Sequence, residues 1–322
     1  MSRPEEGAQV EVRSGFARSG ATSGGRSAGE LKLYYEDMGD PADPPVLLIM
    51  GLGAQLLLWR TAFCEQLVNN GLRVIRYDNR DVGLSDKTER RGGGQPLPAR
   101  MLRFWIGLPG RAAYTLEDMA DDAAAVLDHL GIERAHIVGA SMGGMIAQIF
   151  AARFAERTKS LAVIFSSNNR PFLPPPAPRA LLALLKGPPP DSPRDVIVEN
   201  AVRVTEIIGS PAYRAPVEQV RAEAAESYDR SYYPWGVARH FSAILGSGSL
   251  LRYDRRIAAP TVVIHGRADK LMRPLGGRAV ARAIEGARLV LFDGMGHDLP
   301  QQLWDRVINE LRSNFVAAEQ NA

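Results

Sequence analysis

A serine at a strand-to-helix turn is the strongest chemical signal in the sequence. The pattern Gly-x-Ser-x-Gly occurs at residues 139–143, directly after the apolar run AHIVGA and before an amphipathic helical pattern. Such a sharp turn strains the backbone of the serine and raises its hydroxyl at a sheet edge, at the positive end of a helix. Gly139 and Gly143 leave room where a side chain would collide with the neighbouring strand or helix. We therefore predict Ser141 as a nucleophile; the alternative is a tight turn with an N-capping serine.

The same five-residue pattern occurs a second time, at residues 25–29, around Ser27. No apolar strand precedes it, no helix follows it, and the surrounding stretch is rich in glycine and serine. Because the pattern is weak without its structural context, we interpret Ser27 as a solvated loop serine.

A serine hydroxyl is a poor nucleophile at neutral pH and needs a base. His297, in GMGHDLP, is the histidine that lies in a glycine-rich loop at the carboxyl end of a strand pattern. It is the predicted base, and the alternative is an exposed loop histidine. The other histidines lie in a helix (His129), in strands (His136 and His265) and in a helical insertion (His240).

The acid that orients this base is predicted at Asp269. It is the acidic residue of HGRADKLMRP, which follows the strand pattern TVVIHG. The competing position after SLAVIFSS reads NNRP and holds no carboxylate, and Asp298 directly adjoins His297, so it is poorly placed to accept a bond from the ring. The alternative for Asp269 is a turn aspartate that caps the next segment. The chain order Ser141, Asp269, His297 is the order expected for this sheet topology.

The oxyanion that forms during attack needs two hydrogen-bond donors. We assign one to the backbone N–H of Met142, directly after the serine, and the other to the backbone N–H of Leu52. Gly51 and Gly53, in the loop after the apolar run PVLLIM, let that backbone approach a substrate closely. The alternative is that these glycines only form a turn.

Strand and helix patterns alternate over most of the chain, which predicts an α/β fold with a mostly parallel sheet and helices on both faces. Residues 170–259 lack strand patterns, and proline-rich breaks separate their helical patterns. We interpret them as a helical cap inserted into a core of residues 31–169 and 260–322, over the sheet edge where such folds bind ligands. Residues 1–30 are predicted to be a flexible segment or a hairpin.

The composition excludes several other classes of protein. The 322 residues are 45% hydrophobic and 23% charged, which is typical of a globular chain and not of a disordered one. The net charge is +3 and no basic stripe carries interleaved aromatics, so nucleic acid is not an expected partner. The single cysteine, Cys64, excludes an internal disulfide framework and a cysteine-based zinc site. No membrane span or secretory signal is visible, which favours a cytoplasmic setting.

Several of these motifs resemble those of the α/β-hydrolase superfamily, and the resemblance covers nearly all of residues 31–315. GASMGG, HGRAD and GMGHD are similar to its nucleophile elbow, acid turn and histidine loop. LLIMGLGAQLLLW and RYDNRDVGLS are most similar to bacterial esterases akin to anthracycline methylesterases and mycobacterial lipase/esterase proteins. Met50 stands where the oxyanion loop of the family often begins with histidine. Serine at the nucleophile position argues against the dehalogenase and epoxide-hydrolase branches.

These observations predict a serine hydrolase that cleaves small-molecule carboxylic esters, with thioesters left open, and that needs no cofactor and no metal. The leucine- and proline-rich cap and the loop MLRFWIGLP indicate an apolar acyl site or, equally, a core internal to the cap. Four aromatic residues are open to the same two interpretations: Tyr228, Tyr232, Tyr233 and Trp235. The sequence does not decide between a monomer and an oligomer, and it leaves peripheral contact with a membrane open.

Two other functions fit the same residues. The same triad serves C–C bond hydrolases and cofactor-free perhydrolases, and turnover of a dienoic ring-cleavage product would favour that enzymatic alternative. A non-catalytic ligand receptor on the same fold is the alternative from another class. Such a receptor has no need of a base at His297.

Overall fold

One sheet of eight strands organises the molecule. The computed structural model describes residues 10–20, 22–23, 26–27, 30–88 and 97–320. The strands are β1 (Val12–Ser19), β2 (Thr22–Ser23), β3 (Arg26–Ser27), β4 (Leu31–Met38), β5 (Pro45–Ile49), β6 (Arg73–Tyr77), β7 (Ala135–Ala140), β8 (Thr158–Ile164), β9 (Thr261–Gly266) and β10 (Arg288–Phe292). The sheet order is β1-β4-β6-β5-β7-β8-β9-β10, and β2 pairs separately with β3. Strands β1 and β4 are antiparallel to their neighbours and the other pairs are parallel, so the predicted fold class is confirmed.

Helices cover both faces of the sheet. They are α1 (Thr61–Val68), α2 (Leu97–Trp105), α3 (Leu116–His129), α4 (Met142–Arg153), α5 (Pro178–Leu185), α6 (Arg194–Ile208), α7 (Val217–Arg230), α8 (Pro234–Ser247), α9 (Leu251–Asp254), α10 (Pro274–Ala283) and α11 (Trp304–Gln320). Helix α3 begins with a capping box, in which Thr115 and Asp118 each accept a hydrogen bond from the other's backbone N–H. None of the helices within the described ranges is long and apolar enough to cross a membrane.

Strand β5 lies where the direction of strand progression reverses. The chain places β6 on one side of β5 and β7 on the other. In the parallel pair of β5 with β7, Ile49 is opposite Gly139. The loop that begins at Met50 and the turn at Ser141 therefore leave the sheet side by side, in the crevice where open α/β sheets bind ligands.

The core consists of two apolar layers, one on each face of the sheet. Leu47 and Ile49 of β5 belong to the layer that includes α3 and α4. Val46 and Leu48 belong to the other layer, with α1 and α11. All four side chains are completely buried, which explains why the central strands are continuous apolar runs instead of alternating patterns.

The structure adds detail to one sequence-based expectation and differs from two others. Residues 12–19, within the stretch predicted as a flexible segment or a hairpin, form strand β1, which pairs antiparallel with β4 over eight residue pairs. Residues 97–105 form helix α2, where a loop was expected; Pro98 fits because it lies in the first turn, where a helix needs no N–H. Helix α4 was expected to be amphipathic, but Met142 to Ala152 are all buried.

Helices α5 to α9 lie between β8 and β9, and the assignment of residues 170–259 as a separate cap stays a prediction. The two ends of this inserted segment are joined at its base. The Nδ2 of Asn168 donates to the Oδ2 of Asp254 over 2.7 Å, and the N–H of Leu250 donates to the carbonyl of Asn168 over 2.8 Å. Asp254 is fully buried and its Oδ1 has no hydrogen-bond partner within the described part of the chain.

Burial raises the pKa of Asp254 from 3.8 to about 7, against the lowering effect of the bond from Asn168. Between about pH 4 and pH 7 this carboxyl is therefore protonated when folded and ionised when unfolded. Its contribution to stability is fully present below pH 4 and is lost as the pH rises through 7.

Asp254→Asn keeps an oxygen acceptor for Asn168 and cannot ionise. We expect its free energy of unfolding, relative to wild type, to rise between pH 4 and pH 7 by on the order of 2–4 kcal/mol. Urea unfolding at several pH values measures this, with the exposed Asp305→Asn as the control. If the free energies of unfolding of Asp254→Asn and wild type differ by the same amount at every pH, the prediction is contradicted.

Candidate active site

Ser141 lies between the end of β7 and the start of α4, with φ 56° and ψ −122°. This is a left-handed region that favours glycine and that non-glycine residues rarely occupy. Neighbouring segments hold both of its backbone groups. Its N–H donates to the carbonyl of Ile164 over 2.9 Å, and its carbonyl accepts a 2.6 Å bond from the Ser166 hydroxyl. The strain is thus maintained by the adjoining strand β8.

The elbow glycines are required by close approaches of backbone to backbone. A Cβ on Gly139 would lie 2.2 Å from the carbonyl oxygen of Gly143, and a Cβ on Gly143 would lie 2.0 Å from that of Ile49. A Cβ on Gly51 would lie 2.9 Å from the Cβ of Ser141. The chain therefore approaches Ser141 closely both from within its own turn and from the loop after β5.

The structure brings Ser141, His297 and Asp269 together in one chain of hydrogen bonds. The Nε2 of His297 lies 2.9 Å from the Oγ of Ser141, and its Nδ1 lies 2.8 Å from the Oδ2 of Asp269. In the tautomer that satisfies both bonds, Nδ1–H donates to the carboxylate and Nε2 accepts from the serine hydroxyl. This is the geometry in which an imidazole can take a proton from a hydroxyl.

Asp269 stays ionised although it is buried. Burial on its own raises the pKa of Asp269, but the charge of His297 and the bonds from His265 and His297 outweigh it and lower the pKa to about 2. Its Oδ1 accepts the backbone N–H groups of Leu271 and Met272, each at 2.8 Å. The carboxylate is therefore available to His297 throughout the neutral range.

His265 is a second histidine at this carboxylate. The sequence predicts it to lie in a strand, and it is fully buried in β9. Its Nε2 lies 2.6 Å from the carbonyl of Met272 and 3.4 Å from the Oδ2 of Asp269. It therefore supports the turn that carries Asp269.

The two predicted oxyanion donors adjoin Ser141. Met142 is the first residue of α4, and the first N–H groups of a helix have no acceptor within the helix. Leu52 follows Gly51, the residue whose Cβ would touch Ser141. Within the described part of the chain neither N–H has an assigned acceptor. The assignment of these two N–H groups as oxyanion donors stays a prediction.

His240, in the inserted helix α8, fixes the loop that carries Leu52. The N–H of Gly53 donates to the Nδ1 of His240 over 3.1 Å, while Nε2–H donates to the carbonyl of Arg80 over 2.7 Å. Burial, the largest effect, lowers the pKa of His240 to about 4. The ring is therefore neutral near pH 7, which leaves Nδ1 able to accept the Gly53 N–H. Gly53 itself has φ +66°, and a Cβ there would lie 2.6 Å from Val237 of α8.

The loop that carries His297 is fixed by the end of helix α6. The hydroxyl of Ser210 accepts the N–H of Gly296 at 2.8 Å and donates to the carboxylate of Asp298. The N–H of His297 donates to the carbonyl of Ile208 over 2.8 Å. Burial raises the pKa of Asp298, and its bond is to Ser210, so it does not compete with Asp269 for the imidazole.

Two buried ion pairs join the inserted helices to the segment RYDNRDVGLSD. Asp78 accepts a 2.7 Å bond from Arg230 of α7, and Asp81 accepts a two-pronged bond from Arg239 of α8 at 2.9 and 3.1 Å. Both carboxylates are fully buried. Asp78 also accepts the N–H of Leu56, in the loop after β5. The segment thus connects the inserted helices to the loop beside Ser141.

Sequence analysis missed His240, Ser210, Arg230 and Arg239. Each forms its hydrogen bond with a residue more than eighty positions away along the chain, so no local sequence pattern indicates the contact. The aromatic candidates for a pocket lining make contacts within the inserted segment. Tyr228 stacks on Tyr232 with ring centroids 4.7 Å apart, Tyr233 bonds to Arg239, and Trp235 is exposed.

The other serine and histidine considered from the sequence, Ser27 and His136, do not contact Ser141, His297 or Asp269 within the described part of the chain. Ser27 lies in the two-residue strand β3, paired with Thr22, and not in a loop as expected. His136 stacks on Phe315 and bonds to Ser160. Within the described ranges no three His, Cys, Asp or Glu side chains are grouped so as to hold a metal ion.

The chain is similar in sequence to a known protein family and to characterised hydrolases. The profile of the alpha/beta hydrolase fold family matches residues 44–300. A rhodomycin D methylesterase of Streptomyces peucetius is 28% identical over 291 residues, which cover 84% of this chain and 90% of that protein. A 2-hydroxy-6-oxononadienedioate/2-hydroxy-6-oxononatrienedioate hydrolase of Paraburkholderia phymatum is 28% identical over 273 residues, 83% of this chain and 85% of that protein.

A solved structure gives the same fold. The 2-hydroxy-6-oxo-6-phenylhexa-2,4-dienoate hydrolase of a Rhodococcus strain superimposes with a TM-score of 0.70 at 20% sequence identity. The match covers 95% of this chain and 99% of that one. At this identity the likeness is one of fold.

Gly143→Ala is expected to destabilise the protein by more than about 3 kcal/mol, because the carbonyl oxygens near its Cβ belong to backbone and cannot rotate away. The free energy of unfolding in urea measures this. Gly71→Ala is the matched control: Gly71 has φ +76°, but a Cβ there meets nothing within 4 Å. Gly71→Ala should therefore lose only about 1–2 kcal/mol, the cost of holding an alanine in the left-handed region. Equal losses in the two variants would show that the close approach at Gly143 is unimportant.

Proposed function

The chain belongs to the alpha/beta hydrolase family, and from this premise we propose that it is a serine hydrolase that cleaves carboxylic esters through an acyl-enzyme. The observation that carries the proposal is the hydrogen-bonded series Ser141–His297–Asp269, with its 2.9 Å and 2.8 Å links. The related methylesterase of Streptomyces peucetius acts, by its name, on an ester, which supports the same class of reaction.

In the proposed reaction Ser141 Oγ attacks the acyl carbonyl carbon while His297 Nε2 takes the hydroxyl proton. The carbonyl π electrons move to oxygen, and the oxyanion accepts hydrogen bonds from the N–H groups of Leu52 and Met142. Asp269 holds the imidazole in the required tautomer and stabilises the imidazolium that forms. The tetrahedral intermediate then collapses, the alkoxy C–O bond breaks, and His297 gives its proton to the leaving alcohol.

Deacylation repeats these steps with water. His297 Nε2 removes a proton from a water molecule, whose oxygen attacks the acyl carbon. The second intermediate releases the carboxylic acid, and the proton returns to Ser141 Oγ. The same residues therefore serve both halves of the reaction, and a thioester would follow the same course with a thiol as leaving group.

Phe165, the residue directly after β8, supports an apolar site for the acyl group. Phe165 lies beside the imidazole of His297, with ring centroids 4.9 Å apart, and has φ 37°, so an apolar side chain borders the reacting groups. On this basis we propose that the acyl side of the substrate is apolar. We also propose that residues 170–259 act as a cap, because His240 and Ser210 of this segment hold the loops of Leu52 and His297.

A fluorophosphonate probe tests the nucleophile directly, since it reacts with activated serines. Wild-type protein should be labelled covalently and Ser141→Ala should not. On a panel of p-nitrophenyl esters and thioesters of short to long acyl chains, Ser141→Ala should lose at least about 10⁴-fold in kcat/KM. Ser27→Ala, which removes the serine of the second Gly-x-Ser-x-Gly pattern, is the matched control and should retain labelling and turnover. Folded wild-type protein that stays unlabelled would refute the proposal.

C–C bond hydrolysis is the second candidate, because the relative from Paraburkholderia phymatum is named for such a substrate. In that reaction a C–C bond breaks, and the electrons left on the departing carbon must be delocalised into a conjugated keto acid of the substrate. Simple esters lack this group, so a comparison of substrates distinguishes C–C bond hydrolysis from ester hydrolysis. A higher kcat/KM on a dienoic ring-cleavage product than on every ester of the panel would replace the ester assignment with this one.

His240→Asn tests the support of the proposed oxyanion loop. We expect kcat to fall by about 10–100-fold with KM little changed, because misplaced oxyanion donors weaken binding of the transition state more than of the substrate. His240→Ala should lose more, since asparagine retains an acceptor near Gly53.

His136→Asn is the control for the expected loss at His240. It removes another buried histidine with a lowered pKa, whose partners Ser160 and Phe315 are not part of the proposed site. If both variants lose activity only in proportion to the loss in their free energies of unfolding, His240 has a purely structural role.

A further inference from the structure

An exposed apolar surface lies on the side of α2 and the loop after β8. Leu102 is 60% exposed, Trp105 47% and Phe172 68%. Five residues make up this surface, which we call the apolar patch: Leu102, Trp105, Ile106, Leu108 and Phe172. Large apolar side chains that are exposed together indicate a contact site for another molecule.

The patch is one surface although its residues come from two segments. The rings of Trp105 and Phe172 meet edge to face with centroids 5.1 Å apart, and the N–H of Phe172 donates to the carbonyl of Trp105 over 3.1 Å. A Cβ on Gly107 would lie 2.6 Å from the ring of Pro171. The end of α2 is thus packed directly against residues 171–172.

Phe172 occupies this position at a conformational cost. Its φ is 63°, in the left-handed region that favours glycine. Burial of the ring does not compensate for the strain, because most of the ring is in water. Backbone strain that presents an aromatic ring to solvent points to a role in contact with another molecule.

The charged residues within the two sequence ranges that contain the patch have one sign, and the next acidic residues along the chain are Glu117 and Asp191. Residues 97–116 and 165–190, the segments that form it, carry six basic residues and no aspartate or glutamate: Arg100, Arg103, Arg111, Arg170, Arg179 and Lys186. The whole chain is nearly balanced, with 39 basic and 36 acidic residues. The chain is therefore locally basic next to the patch, although its overall composition is nearly balanced.

A surface cavity of about 500 Å³ adjoins Phe172. Arg170, Arg255 and Arg282 line it, together with apolar residues that include Leu251. All three arginines are exposed, and within the described ranges none of them forms an ion pair with a carboxylate. A cavity with three unpaired guanidinium groups and apolar walls suits an anionic group attached to an apolar chain.

We propose that this face docks on an anionic phospholipid surface. The apolar patch enters the interface, where tryptophan and other amphipathic or apolar side chains are favoured. The arginines of the cavity bind headgroup phosphates. A second copy of the chain fits less well, because a symmetric contact through this face would bring arginines against arginines.

Vesicle sedimentation with the full chain tests the proposal and does not depend on turnover. The protein should co-sediment with vesicles of phosphatidylcholine and phosphatidylglycerol, and not with vesicles of phosphatidylcholine alone. Binding should weaken strongly in 0.5 M NaCl, since salt screens exposed charges. The fluorescence of Trp105 should shift to the blue on binding, and Trp105→Phe should remove most of that shift.

Two variants separate the contributions of charge and apolar contact. Arg170→Gln/Arg255→Gln/Arg282→Gln should reduce the partition coefficient on the order of 100-fold. Trp105→Ser/Phe172→Ser should reduce it at least about tenfold. The matched control, Arg312→Gln/Val316→Ser on α11, removes one exposed arginine and one exposed valine elsewhere and should bind as wild type. Retained thermal unfolding confirms that each variant is folded.

Three results would overturn the proposal. Equal binding to the two kinds of vesicle, or binding to neither, excludes an anionic lipid surface. Equal losses in the control and in the two patch variants exclude this face. Wild type could instead form a dimer in size-exclusion chromatography and not bind vesicles. If Trp105→Ser/Phe172→Ser abolishes that dimer, the patch is a contact site for a second copy of the chain.

Discussion

The strained backbone of Ser141 is the constraint on which the rest of the site depends. A residue at φ 56° and ψ −122° costs on the order of 1–3 kcal/mol and persists only if its surroundings determine it. Here β5, β7 and β8 each contribute to its surroundings: Gly51 approaches the side chain, the turn follows β7, and Ile164 accepts the N–H. The centre of the sheet therefore fixes the position of the Ser141 hydroxyl independently of His297 and Asp269.

The loops that carry Leu52 and His297 are held by residues of the inserted segment as well as by the sheet. His240 of α8 holds the Gly53 N–H beside the proposed oxyanion donors, and Ser210 holds the loop of His297. A rigid outward movement of these helices would also break the Asp78–Arg230 and Asp81–Arg239 pairs. Each broken pair would leave a buried charge unpaired, at a cost of about 3–5 kcal/mol. Motions that admit a substrate must therefore leave these contacts in place.

The sequence was informative where local order alone decides the structure. Ser141, Asp269 and His297 each follow a recognisable strand, and the structure places their reacting atoms within hydrogen-bond distance. The sequence of residues 12–19 left both a flexible segment and a hairpin open, because its glycine, serine and arginine residues resemble a linker and only the pairing with β4 makes it a strand. His240 gave no signal, since its partner Gly53 is 187 residues away along the chain. Long-range contacts of this kind hold the loops of the site in place, and they leave no local pattern in the sequence.

Four fully or almost fully buried aspartates show what these contacts achieve. Asp78 and Asp81 are paired with arginines and Asp269 with histidines, whereas Asp254 has only the amide of Asn168. Burial raises the pKa of Asp254 to about 7, while at Asp269 the imidazoles outweigh burial and lower the pKa to about 2. A buried carboxylate is thus tolerated in its charged form only where a distant segment supplies the partner. The ion pairs of Asp78 and Asp81 consequently specify where α7 and α8 lie, and through α8 and His240 they determine where the loop beside Ser141 lies.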